Sequence, residues 1–210
     1  MFYRRLITFA AALVLTLSAS VAGLAVETSD KATRVYEPVN LAILIQDDVT
    51  SQVGNEIAIT REFIRSLPRG SQVMVGYMTT GRLQVRQLFT GDLDAAARSL
   101  RIPLSNTAGS PYNPYVGVVE ALRKFDSNAK ARNAVLLISD GLDTSHGFDI
   151  ASAINTIDLE RAIRHANQRN VAVYTFYAPT VGLTSHSRMA ASFGQSSLNR
   201  LANDTGGKAF

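Results

Sequence analysis

Two continuous apolar runs, each leading into aspartate, constrain the fold of this chain more than any other feature. The first run covers residues 41–45 and leads into Asp47 and Asp48, and the second covers residues 134–138 and leads into Asp140. Strands that are buried on both faces have unbroken apolar runs, whereas half-exposed strands alternate apolar and polar residues. Both runs therefore predict central strands of a sheet that is covered on each side.

Strand-like and helix-like segments alternate along the rest of the chain. Residues 72–77 and 83–89 have strand patterns and are separated by a stretch short enough for a hairpin, which predicts one antiparallel edge strand. Helical spacing covers residues 55–67 and 159–169, and a last helix is predicted over residues 196–204 before a final strand. This alternation predicts an α/β fold with a doubly wound, mostly parallel central sheet and helices on both faces.

The first 25 residues are typical of a secretory signal peptide. Arg4 and Arg5 give a positively charged start, residues 6–17 are uncharged and mainly apolar, and small residues follow. The alternative is an uncleaved anchor, because residues 6–26 carry no charge and a membrane-spanning helix needs about 20 residues. We expect the folded part to be secreted or periplasmic, or else held at the inner membrane.

The remaining chain divides into a short lead segment and one domain. Residues 26–38 form a polar lead segment, and residues 39–210 form one domain. Since Phe210 falls inside or at the end of the predicted last strand, truncation at the C-terminus is an open alternative. A domain of this length can bury a substantial core.

Composition and motif content exclude several functional classes. The chain has no cysteine, so a disulfide framework and thiolate metal sites are excluded. The net charge of +4 falls to +2 without Arg4 and Arg5, which gives no support to nucleic-acid binding. Phosphate-binding glycine loops, a nucleophile elbow and zinc-type histidine spacings are also missing from the sequence. We therefore expect a protein that is not an enzyme.

Three segments resemble the von Willebrand factor A-type (VWFA) domain of bacterial exported proteins. Residues 134–144, with the motif strand-Ser-Asp-Gly-Leu-Asp-Thr, are similar to the family's fourth strand and its loop. Residues 201–210, with Thr-Gly-Gly-Lys, are similar to its last helix and strand, and residues 63–68 to its first helix. The resemblance covers about residues 39–210 and implies a Rossmann-like sheet.

The resemblance also implies a metal-ion-dependent adhesion site built from an Asp-x-Ser-x-Ser loop, a threonine and a further aspartate. Hard ions such as Mg²⁺ and Ca²⁺ prefer carboxylate, hydroxyl and water oxygens. Onto this pattern we place Asp47, Ser51, Ser110 and Asp140 as metal ligands, with Thr107 as an alternative to Ser110.

The ligand pattern is incomplete. Counting from Asp47 places Val49 where the first hydroxyl belongs, whereas counting from Asp48 retains Thr50 but places Gln52 last. We prefer the Asp47 register. The site either binds Mg²⁺ or Ca²⁺ with water in the missing positions, or it is vestigial and its aspartates cap loops.

Two functions follow as expectations. The first is an extracytoplasmic, adhesion-type protein-binding module with a degenerate metal site, in which the partner supplies an acidic side chain. The second is a membrane-anchored structural or assembly subunit with a metal-free site. Tyr112 and Tyr115 lie near the expected site, where they either form a binding rim or pack the loop against the sheet.

Overall fold

A computed structural model describes most of the predicted domain. The described residues are 37–50, 54–79, 82–105, 112–126, 131–147, 156–181 and 183–210. The predicted signal segment, nearly all of the predicted polar lead, and the predicted ligands Ser51 and Ser110 lie outside these ranges, as does Thr107.

The described strands form one five-stranded sheet with the order β3-β2-β1-β4-β5. Their bounds are β1 Val39–Gln46, β2 Gln72–Thr79, β3 Arg82–Thr90, β4 Arg132–Ser139 and β5 Val171–Tyr177. Strand β1 is parallel to β2 and to β4, β5 is parallel to β4, and only β3 is antiparallel to its neighbour. The predicted mostly parallel sheet with one antiparallel edge is confirmed.

Helices cover both faces of this sheet. Their bounds are α1 Gly54–Arg65, α2 Leu93–Ser99, α3 Pro114–Leu122, α4 Ile157–Gln168, α5 Leu183–His186 and α6 Arg188–Asp204. Leu41, Ile43 and Ile45 pack against residues of α1 and α2, whereas Ala42 and Leu44 pack against residues of α3, α4 and α6. The side chains on both faces of β1 are thus buried, as its unbroken apolar run predicted.

Helix starts follow local capping chemistry. The Asp92 carboxylate accepts a hydrogen bond from the Ala95 backbone N–H at 2.9 Å, and Asn113 caps α3 directly before Pro114. The Ser187 hydroxyl accepts from the Ala190 N–H at 3.2 Å. Helix α6 therefore starts at Arg188, and the prediction that the last helix starts at Ser196 was wrong.

The chain ends beside β5. The Thr175 N–H donates to the Lys208 carbonyl at 3.0 Å, and the Phe210 N–H donates to the Thr175 carbonyl at 3.0 Å. Ala209 thus forms an isolated parallel bridge with Thr175 at the place where the sequence predicted a final strand. Within the described residues, no helix is long and apolar enough to cross a membrane.

Candidate functional site

The two acidic strand ends lie at the same edge of the sheet. Strands β1 and β4 are parallel neighbours, with Ile45 opposite Ile138, so the residues that follow them emerge together. The Gln46 side-chain oxygen accepts hydrogen bonds from the Ser139 hydroxyl at 2.5 Å and from the Asp140 backbone N–H at 3.0 Å. One buried amide therefore joins the two strand ends at the predicted site.

Asp47 forms an ion pair within the chain. Its two carboxylate oxygens accept hydrogen bonds from the Arg101 guanidinium, at 2.6 and 2.7 Å. The Leu104 backbone N–H donates to the same carboxylate at 3.0 Å. Asp47 is therefore buried and paired with Arg101 in this structure, so a cation that binds Asp47 would compete with the guanidinium.

Arg101 is itself held in place on two sides. Its guanidinium carbon lies 4.0 Å from the ring centroid of Tyr77, and the Tyr77 hydroxyl donates to the Arg101 carbonyl at 2.6 Å. The hydrogen bond to Asp47 is the main cause that raises the pKa of Arg101. Sequence reasoning missed this residue, because a lone arginine after a helix carries no signal for a partner 54 residues earlier.

Asp48 is the acid without a counter-ion. Its carboxylate oxygen Oδ1 is buried and has no hydrogen-bond partner among the described residues, and the carboxylate forms no ion pair with them. Burial is the main cause that raises the pKa of Asp48, and the charge of Asp47 raises it further. A buried oxygen of this kind calls for a cation, a proton or water.

Asp140 lies beside Asp48. Its oxygen Oδ1 accepts from the Leu142 N–H at 3.1 Å, and Oδ2 accepts from the Thr180 hydroxyl at 3.0 Å and the Thr184 hydroxyl at 3.3 Å. Burial raises the pKa of Asp140 to about 6, and the charge of Asp48 contributes to the rise. The Gln46 side chain lowers the pKa of both acids, against the larger effect of burial. Asp48 and Asp140 therefore form the acid pair of this edge.

Tyr112 borders the acid pair. Its hydroxyl is buried without a hydrogen-bond partner among the described residues, and its pKa is raised by burial and then by the charges of Asp48 and Asp140. Tyr115 is also buried, and its hydroxyl donates to the Gly141 carbonyl at 2.5 Å. Both rings pack inside the protein, so the packing alternative is correct and the rim alternative is not.

The donors of this edge suit a hard cation, although they differ from the expected set. Among the described residues no group of three or more His, Cys, Asp or Glu side chains is placed to hold a metal. The acid pair offers carboxylate oxygens, one of them unpaired, with the hydroxyls of Thr180 and Thr184 against Asp140. Oxygen donors of these types are those that Mg²⁺ and Ca²⁺ bind. Asp140 and Asp48 thus have the donor types that such an ion needs, whereas Asp47 is paired with Arg101.

Helix α6 packs closely against this edge. A Cβ atom on Gly194 would lie 1.9 Å from the Asp140 carbonyl oxygen, and one on Gly141 would lie 2.3 Å from the Gly194 carbonyl oxygen. Gly141 also has a φ of +76°, a conformation that glycine adopts without strain. Two glycines therefore set the distance between the helix and the acid that follows β4.

Exposed apolar side chains gather at the same edge. Ile102 and Leu104 lie in the segment that binds Asp47, and Ile157, Leu183 and Met189 lie in the first turns of helices that follow β4 and β5. Their exposed fractions range from 39% to 74%. Five of the six large hydrophobic side chains exposed in the described residues are thus at the carboxyl edge, the exception being Leu88. We call these five residues the apolar rim.

Solved structures with the same architecture were found, although no protein-family model and no curated protein sequence matches the chain. The conserved hypothetical protein BatB from Bacteroides thetaiotaomicron is 14% identical, with a TM-score of 0.56 over 82% of this chain and 88% of that one. An aerotolerance-related membrane protein from Bacteroides fragilis NCTC 9343 is 11% identical, with a TM-score of 0.57 over 83% of this chain and 90% of that one.

A VWA domain from SpRpn10 is also similar, at 13% identity and a TM-score of 0.46, over 77% of this chain and 84% of that one. Identities this low concern the fold and not the activity. The mostly parallel sheet with one antiparallel edge and helices agrees with the architecture shared with the two Bacteroides structures. The chain has the α/β fold of a von Willebrand factor A-type domain.

Proposed function

We propose that this chain is an extracytoplasmic protein-binding module and that the carboxyl edge of its sheet is the contact surface. The observation that carries the proposal is the apolar rim around the acid pair Asp48 and Asp140. Exposed apolar patches that surround polar groups are typical of protein interaction sites. The first 25 residues support export, since they have the features of a signal peptide.

The acid pair would hold a divalent cation, Mg²⁺ or Ca²⁺. Asp48 and Asp140 supply the carboxylates, and a bound ion would offer a coordination position to an acidic side chain of the partner. Asp47 plays a different part, because its pairing with Arg101 fixes the segment that carries Ile102 and Leu104. We expect weak affinity, since two carboxylates leave several positions to water.

Calorimetric titration of Mg²⁺, Ca²⁺ and Mn²⁺ into the purified full chain in detergent tests the cation. Asp48→Asn and Asp140→Asn should each abolish saturable binding, whereas Asp47→Asn should retain it if circular dichroism shows that it folds. Loss of cation binding in Asp47→Asn alone would show that Asp47, and not Asp48, is the leading metal ligand. Absence of binding to the wild type would leave the apolar rim as a metal-independent surface.

Photocrosslinking in the producing cell tests the contact surface. A benzophenone amino acid at Leu104 or Ile157 should give a discrete crosslinked protein. The same group at Asn203, which is exposed in the last turn of α6, should not. Identical products from all three positions would contradict the assignment of the carboxyl edge.

We propose a binding role rather than a catalytic one. The hydroxyls of Thr180 and Thr184 donate to Asp140, and among the described residues neither contacts a basic side chain that could activate it. The second candidate is an assembly subunit held in the membrane by an uncleaved N-terminal segment. An intact N-terminus in the membrane fraction would favour that candidate, and a processed N-terminus in the soluble extracytoplasmic fraction would contradict it.

A further inference from the structure

Strand β3 has an open edge. It is the outermost strand on its side of the sheet, and within the described residues it pairs only with β2. Its first eight residues alternate between exposed and half-buried positions, and the ninth is half-buried. An outer edge of this length presents unpaired backbone N–H and C=O groups that can accept a further strand.

A row of basic and polar side chains lies along this strand. Arg82, Gln84, Arg86 and Leu88 are exposed, whereas Leu83, Val85 and Phe89 pack against the core cluster on the α3 face. Residues two apart in a strand are about 7 Å apart and share a face. The exposed side chains of β3 therefore have the same spacing as the side chains on one face of an extended chain paired with this strand.

The arginines of this surface lack acidic partners. Arg82 and Arg86 form no ion pair among the described residues, and neither does the nearby Arg98 at the end of α2. Elsewhere in the described residues, acidic side chains pair with five arginines: Arg65, Arg101, Arg132, Arg161 and Arg200. Strand β3 itself thus carries two positive charges and no acidic side chain.

An internal carboxylate already binds the start of this edge. The Leu83 backbone N–H donates to Glu120 Oε2 at 2.9 Å, and Glu120 belongs to α3 rather than to the sheet. A backbone N–H of β3 therefore donates to a carboxylate oxygen from outside the sheet. Glu120 occupies only the first part of the nine-residue strand.

We propose that the open edge of β3 binds an extended, acidic polypeptide segment as an added strand, with its carboxylates opposite Arg82 and Arg86. This surface is independent of the carboxyl edge. A polypeptide is favoured over an anionic membrane because only a polypeptide can pair with a row of backbone groups. A second copy of this chain is disfavoured, because antiparallel pairing about Gln84 would place Arg82 against Arg86.

The probe is a nine-residue acetylated peptide of alternating Glu and Thr, titrated into the full chain and followed through backbone amide shifts. We expect saturable binding with shifts concentrated in residues 83–89. The double variant Arg82→Glu/Arg86→Glu should weaken binding about tenfold or more. The control double variant Arg164→Glu/Arg188→Glu makes the same change in net charge at exposed positions that form no ion pair among the described residues, and it should bind normally.

Two further arms separate strand addition from simple charge attraction. A peptide with proline at alternate Thr positions keeps its charge but loses backbone donors, and it should not bind. A Lys and Thr peptide should bind the Arg82→Glu/Arg86→Glu variant. Undiminished binding of the proline peptide, equal loss in both double variants, or no saturable binding to the wild type would each overturn the proposal. Shifts of the same β3 amides with phosphatidylglycerol vesicles but not with the peptide would also overturn it, in favour of a lipid surface.

Discussion

Gly194 of α6 packs so closely against the backbone of Asp140 that no side chain larger than a hydrogen atom fits at this position. A Cβ atom there would lie 1.9 Å from the Asp140 carbonyl oxygen. The position lies inside a 17-residue helix, where glycine is otherwise unfavourable by about 1 kcal/mol relative to alanine. Packing at the candidate site therefore outweighs helix propensity at this residue.

We predict that Gly194→Ala lowers the free energy of unfolding by about 2 kcal/mol or more, because backbone cannot move aside as a flexible side chain can. Gly117→Ala is the matched control. It also lies inside a helix, but its Cβ would meet the side chain of Met78, which can adjust. Urea denaturation gives the free energy of unfolding of both variants. An equal loss in the two would contradict the prediction that Gly194 tolerates a side chain less well than Gly117.

Tyr112 and Tyr115 form a second matched pair. Tyr112→Phe removes a buried hydroxyl that has no partner among the described residues, so we expect the metal-free chain to gain about 1 kcal/mol. Tyr115→Phe removes the hydrogen bond to the Gly141 carbonyl, so we expect a loss of about 1 kcal/mol. Thermal unfolding in chelator compares them. A loss in Tyr112→Phe would mean that its hydroxyl has a partner in solution.

The buried Asp140 predicts a pH dependence of stability. Burial raises its pKa from 3.8 to about 6 in the folded chain, so the folded state holds the proton more tightly than the unfolded state. Stability should therefore fall as pH rises from about 4 to about 6, by an amount on the order of 2 to 3 kcal/mol. Asp140→Asn should remove this decline and be more stable than the wild type at pH 7. Denaturation in chelator across this pH range measures the effect, and parallel profiles would contradict it.

The ion pair of Arg101 and Asp47 can be measured by a double-mutant cycle. Arg101→Met leaves a buried carboxylate without its counter-ion, so we expect the free energy of unfolding to fall by about 3 kcal/mol. Arg101→Met combined with Asp47→Asn should recover part of that loss, since no buried charge remains. Additive losses in the cycle would show that the two side chains do not interact.

The fold was predictable because its signals are local. The unbroken apolar runs of β1 and β4 required burial on both faces, and the hairpin spacing between β2 and β3 identified the antiparallel edge. The start of α6 was not predictable in the same way, because residues 188–196 combine small and polar side chains with Gly194. Its stability there comes from the Ser187 cap and from contacts that only the tertiary fold creates.

The site was predictable only in part. The sequence placed acids after β1 and β4, and the structure brings these residues to one edge. It could not separate Asp47 from Asp48, because two adjacent acids after a strand have the same local pattern. The difference arises from Arg101 and Tyr112, which approach from other elements, and from Gln46, which directly precedes the two acids. Ser51 and Ser110 lie outside the described residues, so their roles stay predictions.

The bond between Arg101 and Asp47 has a consequence for how this protein can evolve. Losing either side chain alone leaves a buried charge or an unanchored segment, so each single change passes through an unstable intermediate. Replacement of both should be less damaging than loss of the arginine alone. Positions 47 and 101 should therefore change together among homologues, and an acid retained at position 47 without the arginine should need a bound cation to neutralise it. This ion pair would then separate lineages that use the first of the two adjacent acids from those that use the second.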